Sequence, residues 1–200
     1  MIEVSAIVLA AGLSSRMGQS KTLLPWGGTT ILGRIVGALA EAGLDEIIVV
    51  TGAGHELVEN EVAFLARVFP VRAEFNKNYE TGEMLSSIQT GLRTASSTAT
   101  AGLVTLGDQP QILVETVQLL LAARKNTKQP LIMPSFKGRR GHPWLIGRQL
   151  WSEFLEMRLP STARDFFEHY SSLIQYVEIQ NPSILKDVDT PSDYAQEKPV

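Results

Sequence analysis

Cysteine is absent from the 200 residues of this chain, and the three histidines are widely separated along it. Without thiols, the chain can form neither a disulfide framework nor a thiolate metal site. The spacing of His55, His142 and His169 is not typical of a zinc site. Metal chemistry, if the chain performs any, must therefore depend on its carboxylates.

Excess charge and long apolar runs are also scarce. Eighteen basic and 21 acidic residues leave a formal charge of −3, which provides no general field for a polyanion and argues against nucleic-acid binding. The first apolar stretch, AIVLAA (6–11), is short, lacks a basic leader and has no clear cleavage site. It predicts a strand rather than a signal peptide or membrane span, so we expect a soluble cytoplasmic protein that binds no membrane.

Apolar runs alternate with amphipathic stretches along the chain. The predicted strands cover 5–10, 46–52, 71–76, 101–110 (ending in a turn), 130–135 and 172–179. The predicted helices cover 30–43, 55–69, 83–95, 112–126, 144–157, 161–170 and a short segment from 191. This alternation predicts an α/β fold of three layers, with a mostly parallel, twisted sheet and helices on both faces. The length suits one domain.

The loop after the first predicted strand combines glycine with basic side chains. In a sheet of this class, ligands bind beyond the carboxyl ends of the strands. Gly12 permits close approach of a ligand, successive N–H groups can form an anion site, and Arg16 and Lys21 supply positive charge. The pattern fits an anion-binding loop, and it also fits a solvated connection with two surface cations. It matches neither the NTPase phosphate loop nor the dinucleotide fingerprint.

Two acidic segments lie far apart in the sequence. GDQP places Asp108 just past a predicted strand, and KDVDTPSDY offers Asp187, Asp189 and Asp193. One or two carboxylates together with substrate phosphates form the usual Mg²⁺ site. Equally, Asp108 could cap a turn and Asp189 could be the N-cap of the last helix. The residues alone leave both interpretations open.

Together, LAAGLSSRMGQSKTLLPW (9–26), GDQP and DVDTPSDY resemble the motifs of the MobA-like NTP transferases, most closely the molybdenum cofactor cytidylyltransferase branch. The resemblance extends over nearly the whole chain. It implies a Rossmann-like nucleotidyltransferase fold in one domain (1–200), with a mainly nucleotide-binding half (1–110) and a mainly acceptor-binding half (111–200). It also implies Mg²⁺-dependent transfer of a nucleotide from an NTP to a phosphorylated acceptor, with release of pyrophosphate.

The resemblance implies roles for individual residues. Those implied to be catalytic are Arg16, Lys21 and Asp108, and the implied metal ligands are Asp108 and Asp189. The implied nucleotide-binding residues are Leu9, Ala10, Ala11, Gly12, Leu13, Ser14, Ser15, Arg16, Lys21, Gly82 and Asp108. The implied acceptor-binding residues are Asn76, Ser86, Ser87, Arg140 and His142. Asp187 and Asp193 resemble capping or supporting residues.

Some of these roles compete with structural interpretations. Gly82 before a helix suggests a helix N-terminus with free N–H groups, whereas Ser86 and Ser87 could simply lie on the helix surface. The segment GRRGHPW (138–144) could border the acceptor, or it could be an exposed basic turn with Trp144 in the core.

The identity of the substrates follows from smaller similarities. Ala-Ala-Gly at 10–12 is similar to cytidylyl-transferring members, whereas guanylyl-transferring members typically have glycine in place of Ala11. One methyl group discriminates by only about 1–3 kcal/mol, so CTP is the expected nucleotide and GTP the alternative. The implied acceptor is molybdopterin or the molybdenum cofactor, with a molybdenum hydroxylase as client.

Further functions stay open on the sequence. LPSTARDF (159–166) departs from the Gly-Asp-x-Gly-Ala-Arg motif of the cytidylyltransferase branch and keeps only Ala163 and Arg164. A different phosphorylated acceptor, such as a sugar phosphate or methylerythritol phosphate, is therefore one possibility. Another is a non-catalytic nucleotide-binding protein that assists maturation of a molybdenum hydroxylase. A dinucleotide-dependent reductase would need the glycine fingerprint that the first loop lacks.

Overall fold

A computed structural model of the chain describes residues 3–12 and 20–199. Within these residues the strands are β1 (Val4–Ala10), β2 (Pro25–Trp26), β3 (Thr29–Thr30), β4 (Ile47–Thr51), β5 (Val71–Phe75), β6 (Ala101–Leu106), β7 (Leu131–Phe136), β8 (Arg139–Arg140), β9 (Trp144–Gly147) and β10 (Ile174–Glu178). The α-helices are α1 (Ile31–Glu41), α2 (His55–Leu65), α3 (Glu83–Thr94), α4 (Val114–Asn126), α5 (Trp151–Glu156), α6 (Ala163–His169) and α7 (Pro191–Glu197). Short 3-10 turns cover Lys21–Leu23, Arg148–Leu150, Ser171–Leu173 and Pro182–Leu185.

Eight of the described strands form one sheet in the order β10–β7–β9–β6–β1–β4–β5, with β8 paired to β7. β1 runs parallel to β4 and β6, β4 runs parallel to β5, and β7 runs parallel to β10. Among the described strands of this sheet, only β8 and β9 run antiparallel to their neighbours. β2 and β3 form a separate hairpin. The predicted mostly parallel sheet is confirmed.

Helices cover both faces of the sheet because the strands are apolar on both sides. In β1, Ala6 and Val8 belong to one core cluster, which also contains buried side chains of α1, α2 and α4. Ile7 points to the other face and belongs to the second cluster, with side chains of α3, α5 and α6. Each fully buried leucine or isoleucine contributes about 1.5–3 kcal/mol to stability. The predicted three-layer architecture is confirmed.

The prediction of one helix over 144–157 is wrong in its first part. Trp144–Gly147 is strand β9, which inserts between β6 and β7, and the α-helix begins only at Trp151. All four residues of β9 are buried. A short apolar run cannot be assigned to strand or helix by its periodicity, and here the two neighbouring strands decide in favour of the strand.

The chain reverses its direction of travel across the sheet between β1 and β6. From β1 it proceeds outward through β4 to β5, and α3 then carries it back past β1 to β6 on the other side. Such a reversal leaves a crevice at the carboxyl ends of the two strands. Leu9 of β1 lies opposite Leu106 of β6, so the segments that follow these residues meet at that crevice. No helix within 3–12 and 20–199 has the length and apolarity needed to cross a membrane.

Candidate functional site

A cavity of about 420 Å³ lies at the carboxyl ends of β1 and β6. Its walls come from the first loop, from the end of β6, and from the loop that enters α3. The lining residues are Leu9, Ala10, Ala11, Gly12, Ser20, Lys21, Thr22, Tyr79, Glu80, Glu83, Met84, Ser87, Leu106, Gly107 and Asp108. The structure therefore brings part of the predicted nucleotide-binding loop and Asp108 to one cavity.

Gly107 holds the end of β6 close to β1. Its N–H donates a hydrogen bond to the Leu9 carbonyl oxygen at 2.9 Å. A Cβ atom at position 107 would lie 2.7 Å from that same oxygen, which is inside van der Waals contact. Only glycine permits this close approach of the two backbones, and the approach delivers Asp108 to the cavity.

A backbone hydrogen bond brings the second acidic segment beside Asp108. The N–H of Val188 donates to the Asp108 carbonyl oxygen at 2.9 Å, and the Val188 side chain is fully buried in the core. Asp189 follows immediately, so two carboxylates that are 81 positions apart in the sequence become neighbours.

The end of this segment is fixed by a capping box at the start of α7. Thr190 is the N-cap, and its hydroxyl accepts from the Asp193 N–H. The Asp193 carboxylate accepts from the N–H and the hydroxyl of Thr190, both at 2.8 Å. These hydrogen bonds lower the pKa of Asp193. Asp193 is thus a capping residue, as predicted, whereas the helix cap is Thr190 and not Asp189.

Lys21 lies between the two carboxylates. Its Nζ donates to Asp108 Oδ2 at 2.5 Å and to Asp189 Oδ1 at 2.7 Å. Burial lowers the pKa of Lys21, but the hydrogen bonds and charges of Asp108 and Asp189 outweigh it, so that the net pKa is raised. Lys21 is therefore a cation at neutral pH. The pKa of the neighbouring Asp187 is raised, mainly because its carboxyl group is partly buried and to a lesser extent because of the negative charges of Asp189 and Asp108.

The two carboxylates fit a hard divalent cation. Asp108 Oδ1 is buried and has no hydrogen-bond partner within the described part of the chain, so one oxygen is available to a ligand. Within 3–12 and 20–199, no group of three or more His, Asp or Glu side chains could hold a metal by itself. Two carboxylates completed by phosphate oxygens and water are the arrangement that Mg²⁺ favours.

The remaining nucleotide-binding predictions divide into two groups. Leu13, Ser14, Ser15 and Arg16 lie outside the described residues. Gly82 is the N-cap of α3, as the sequence suggested, but it lines a different cavity of about 340 Å³ with Leu85, Ser86 and Gln89. Its own N–H donates to the Asn78 carbonyl oxygen at 2.7 Å and is not free.

Asn76, Ser86 and Ser87 form one buried cluster. Asn76 is only 1% exposed, and its side-chain amide donates to Ser86 Oγ at 2.7 Å and to Ser87 Oγ at 3.1 Å. The interpretation that the two serines lie on the helix surface is wrong, because both are buried. In this structure the cluster fixes the loop after β5 to α3, and Ser87 is its one member that lines the site cavity.

Arg140 and His142 follow β7, which lies two strands from β6 in the sheet and runs in the same direction. Arg140 is exposed on β8, with its guanidinium carbon 5.4 Å from the centre of the Tyr176 ring. His142 is partly buried, and its backbone N–H donates to the Ile184 carbonyl oxygen at 3.1 Å. Neither lines the site cavity. Trp144 is a core residue, 4.8 Å from the Phe167 ring, so its structural interpretation is the correct one.

Sequence reasoning missed Tyr79, Glu80 and Glu83, which form a wall of the cavity together with Met84. Glu83 is exposed and adopts a left-handed backbone with φ +49°, a conformation that is uncommon outside glycine. Helical spacing could have identified part of this wall, because residues three and four positions before Ser87 share its face of the helix.

Burial of the His142 ring lowers its pKa to about 4, so acidification should destabilise the fold. The unfolded chain, with a His pKa near 6.5, binds the proton first. The stabilising contribution is thus complete above about pH 6.5 and is lost as the pH falls towards 4. Between pH 7 and 4, we expect the unfolding free energy of the native chain to fall by about 2 kcal/mol more than that of His142→Gln. This difference is smaller than the full pKa shift implies, because solvent screens a ring that is partly exposed. Urea denaturation at both pH values measures this difference. Equal losses in the two proteins would contradict the assignment.

Comparison with known proteins connects this geometry to a family. A family model described as the MobA-like NTP transferase domain matches residues 6–174. The Escherichia coli molybdenum cofactor cytidylyltransferase is 30% identical, over 99% of this chain and 97% of its own length. Nicotine blue oxidoreductase from Paenarthrobacter nicotinovorans is also 30% identical, over 94% and 92%.

A solved structure supports the same fold. The Mycobacterium tuberculosis protein Rv0371c, in a complex with manganese, superimposes with a TM-score of 0.77 over 97% of each chain, at 24% identity. The predicted Rossmann-like fold is therefore confirmed, and the family match covers the strands and loops that form the cavity. The chain belongs to the MobA-like NTP transferase family, a family of nucleotidyltransferases.

Proposed function

We propose that this chain transfers a cytidylyl group from CTP to the phosphate of molybdopterin or of the molybdenum cofactor, in an Mg²⁺-dependent reaction that releases pyrophosphate. The observation that carries this proposal is the convergence of Gly12, Lys21 and Asp108 on one cavity, with Asp189 bonded to the same lysine. The name of the E. coli relative at 30% identity supports the choice of substrates.

The proposed reaction is a displacement at phosphorus. An oxygen of the acceptor phosphate forms a bond to the α-phosphorus of the NTP. The bond from that phosphorus to the oxygen bridging to the β-phosphate breaks, and its electron pair leaves with pyrophosphate. The attacking phosphate is already ionised near neutral pH, so the site needs no general base.

This chain's residues position the groups and balance their charge, which is most of what such chemistry requires. We assign Asp108 and Asp189 to hold the metal, and Lys21 to neutralise charge on the departing phosphates. Arg16 is proposed to act with Lys21. When bound, the metal supplies Lewis-acid charge neutralisation and orientation at the phosphates. The manganese in the M. tuberculosis neighbour agrees with a divalent cation in this fold.

The nucleotide and the acceptor are proposed to use different halves of the chain. The half at 1–110 contributes the first loop, Lys21 and Asp108, whereas the half at 111–200 contributes Asp189 and the proposed acceptor residues Arg140 and His142. Ala11 lines the cavity and supports CTP over GTP, since its methyl group narrows the space for a base. Asn76, Ser86 and Ser87 remain proposed as the acceptor-side boundary, with a molybdenum hydroxylase as client.

A second candidate function is oxidoreduction, because a relative of equal identity is named as an oxidoreductase. The first loop lacks the Gly-x-Gly-x-x-Gly fingerprint for a dinucleotide, which favours the nucleotidyltransferase. Nucleotidyl transfer to a different phosphorylated acceptor and a non-catalytic accessory role also compete with the proposed reaction. Each of the three competing functions predicts a different experimental outcome.

The decisive experiment measures pyrophosphate release with Mg²⁺, CTP or GTP, and molybdopterin or molybdenum cofactor as acceptor. We expect release that requires metal, acceptor and CTP. Pyrophosphate release with GTP but not with CTP would reassign the base. Release with a sugar phosphate or methylerythritol phosphate, but not with molybdopterin or molybdenum cofactor, would reassign the acceptor. Nucleotide binding without release in any combination would favour the accessory role. Oxidation of NADH or NADPH in the presence of nicotine blue would favour the oxidoreductase.

A further inference from the structure

We propose that Lys21 closes the two-carboxylate site to free divalent cations, so that the metal binds only together with a triphosphate that draws the ammonium group away. The inference rests on the proposed function, because it takes Asp108 and Asp189 as the metal ligands. It adds an order to the assembly of the site: the polyphosphate must engage Lys21 for the cation site to open.

The first argument is geometric. The Lys21 ammonium is 2.5 Å from Asp108 Oδ2 and 2.7 Å from Asp189 Oδ1. A divalent cation that bridges two carboxylates requires the same space, since its oxygen ligands lie at about 2.0–2.6 Å. An ammonium group and a divalent cation therefore cannot lie between these two oxygens together. The other oxygen of the Asp108 carboxylate, Oδ1, is buried, which limits its access to a free cation.

The second argument is that the backbone of Lys21 is fixed, so that a ligand can move only its side chain. The Leu24 N–H donates to the Lys21 carbonyl oxygen at 3.2 Å, and the neighbouring Thr22 is buried. The following hairpin is held to α7, because the Tyr194 hydroxyl donates to the Pro25 carbonyl oxygen at 2.6 Å. A ligand can thus displace the ammonium only by moving its flexible four-carbon stem.

The third argument is the position of Lys21 relative to the cavity. Lys21 and Asp108 both line it, as does the glycine loop at Ala11 and Gly12. A triphosphate beside that loop offers the ammonium more negative charge than the two carboxylates do. Release of Lys21 then withdraws its positive charge from both carboxylates and favours a divalent ion in its place. By thermodynamic reciprocity, the metal strengthens triphosphate binding by the same factor.

The test is Mn²⁺ binding measured by electron paramagnetic resonance, with and without a CTP analogue that has a methylene group between its α- and β-phosphorus atoms. Lys21→Met removes the charge and keeps much of the side-chain length. Lys21→Arg keeps the charge. Lys125→Met is the control for loss of one positive charge, since Lys125 is exposed and its ammonium group lies 3.9 Å from the Glu3 carboxylate.

Without nucleotide, we expect Lys21→Met to bind Mn²⁺ at least about tenfold more tightly than the native chain, within the usual range of coupling between sites. Lys21→Arg and Lys125→Met should bind as weakly as the native chain. The analogue should raise Mn²⁺ affinity strongly in the native chain and much less in Lys21→Met. Mn²⁺ should also raise the melting temperature of Lys21→Met more than that of the native chain, a readout that includes a check of folding.

Either of two results would overturn the proposal. One is tight Mn²⁺ binding by the native chain without nucleotide. The other is an unchanged Mn²⁺ affinity in a Lys21→Met variant that melts cooperatively and is therefore folded. Should Lys21→Met fail to fold, Lys21→Gln takes its place with the same expected gain. Pyrophosphate release from the native chain is scored separately. If the native chain releases pyrophosphate and also binds free Mn²⁺ tightly, only the role of Lys21 is contradicted. If Lys21→Met gains Mn²⁺ affinity but the native chain releases no pyrophosphate, only the proposed function is contradicted.

Discussion

Replacement of Asp108 by asparagine is expected to reduce pyrophosphate release by about 10³-fold or more, a loss of about 4 kcal/mol in transition-state stabilisation. The reason is that an amide supplies no negative charge to a divalent cation. Asp108 Oδ1 is also a buried oxygen without a hydrogen-bond partner in the described part of the chain. The substitution preserves the shape of the side chain, so a cooperative thermal transition should persist. Steady-state rates at saturating CTP and Mg²⁺ measure the effect.

Two neighbouring acids serve as controls for Asp108→Asn. The Asp187 carboxylate interacts with the charges of Asp108 and Asp189, but among the described contacts it makes no bond to Lys21. We therefore expect Asp187→Asn to change the rate of pyrophosphate release by only a few fold. Asp189→Asn should fall between the two. A rate for Asp108→Asn within a few fold of the native rate would refute the proposed metal role.

Replacement of Gly107 by alanine is expected to reduce pyrophosphate release by about 10²-fold and to cost about 1–3 kcal/mol in unfolding free energy. The added methyl group would lie 2.7 Å from the Leu9 carbonyl oxygen and 3.3 Å from the Ala10 Cα. Both are backbone atoms of a strand that is paired on both edges, so the end of β6 must move instead. That movement displaces Asp108, which is the next residue. Rates and urea denaturation measure the two effects.

Gly37→Ala is the matched control for Gly107→Ala. Gly37 lies within α1, and a Cβ there would meet only the tip of the Phe69 ring at the ordinary distance of 3.8 Å. Because alanine favours helices, this variant should gain up to about 1 kcal/mol in stability at unchanged activity. If Gly107→Ala behaved like Gly37→Ala, the close contact of β6 with β1 would not position the site.

Much of the fold followed from the sequence because its strands are apolar on both faces and its helices are amphipathic. β1 and β4 are examples, and both begin and end within two residues of the predicted bounds. β9 did not follow, because a run of four apolar residues is compatible with helix or strand until its neighbours are known. The β2–β3 hairpin was not predicted for a similar reason, because each of its strands has only two residues and shows no periodicity.

The parts of the site that could be predicted from the sequence are those in which a motif directly follows a predicted strand. Asp108 and the described part of the first loop line the cavity because parallel strands end at the same edge of the sheet. The position of Asp189 depends on a tertiary contact, the hydrogen bond from Val188 to Asp108, and only the resemblance to a family suggested it. The exchange of hydrogen bonds between Asn76, Ser86 and Ser87 depends on side-chain directions within α3, which no spacing in the sequence encodes.

The contact between Gly141 and Ile184 gives the basic turn a mechanical connection to the carboxylates. A Cβ at position 141 would lie 2.2 Å from the Ile184 carbonyl oxygen, and this oxygen also accepts the His142 N–H. Four residues later, Val188 is tied to Asp108. We therefore expect a displacement of strand β8 to be transmitted through Ile184 to the backbone that carries Asp189.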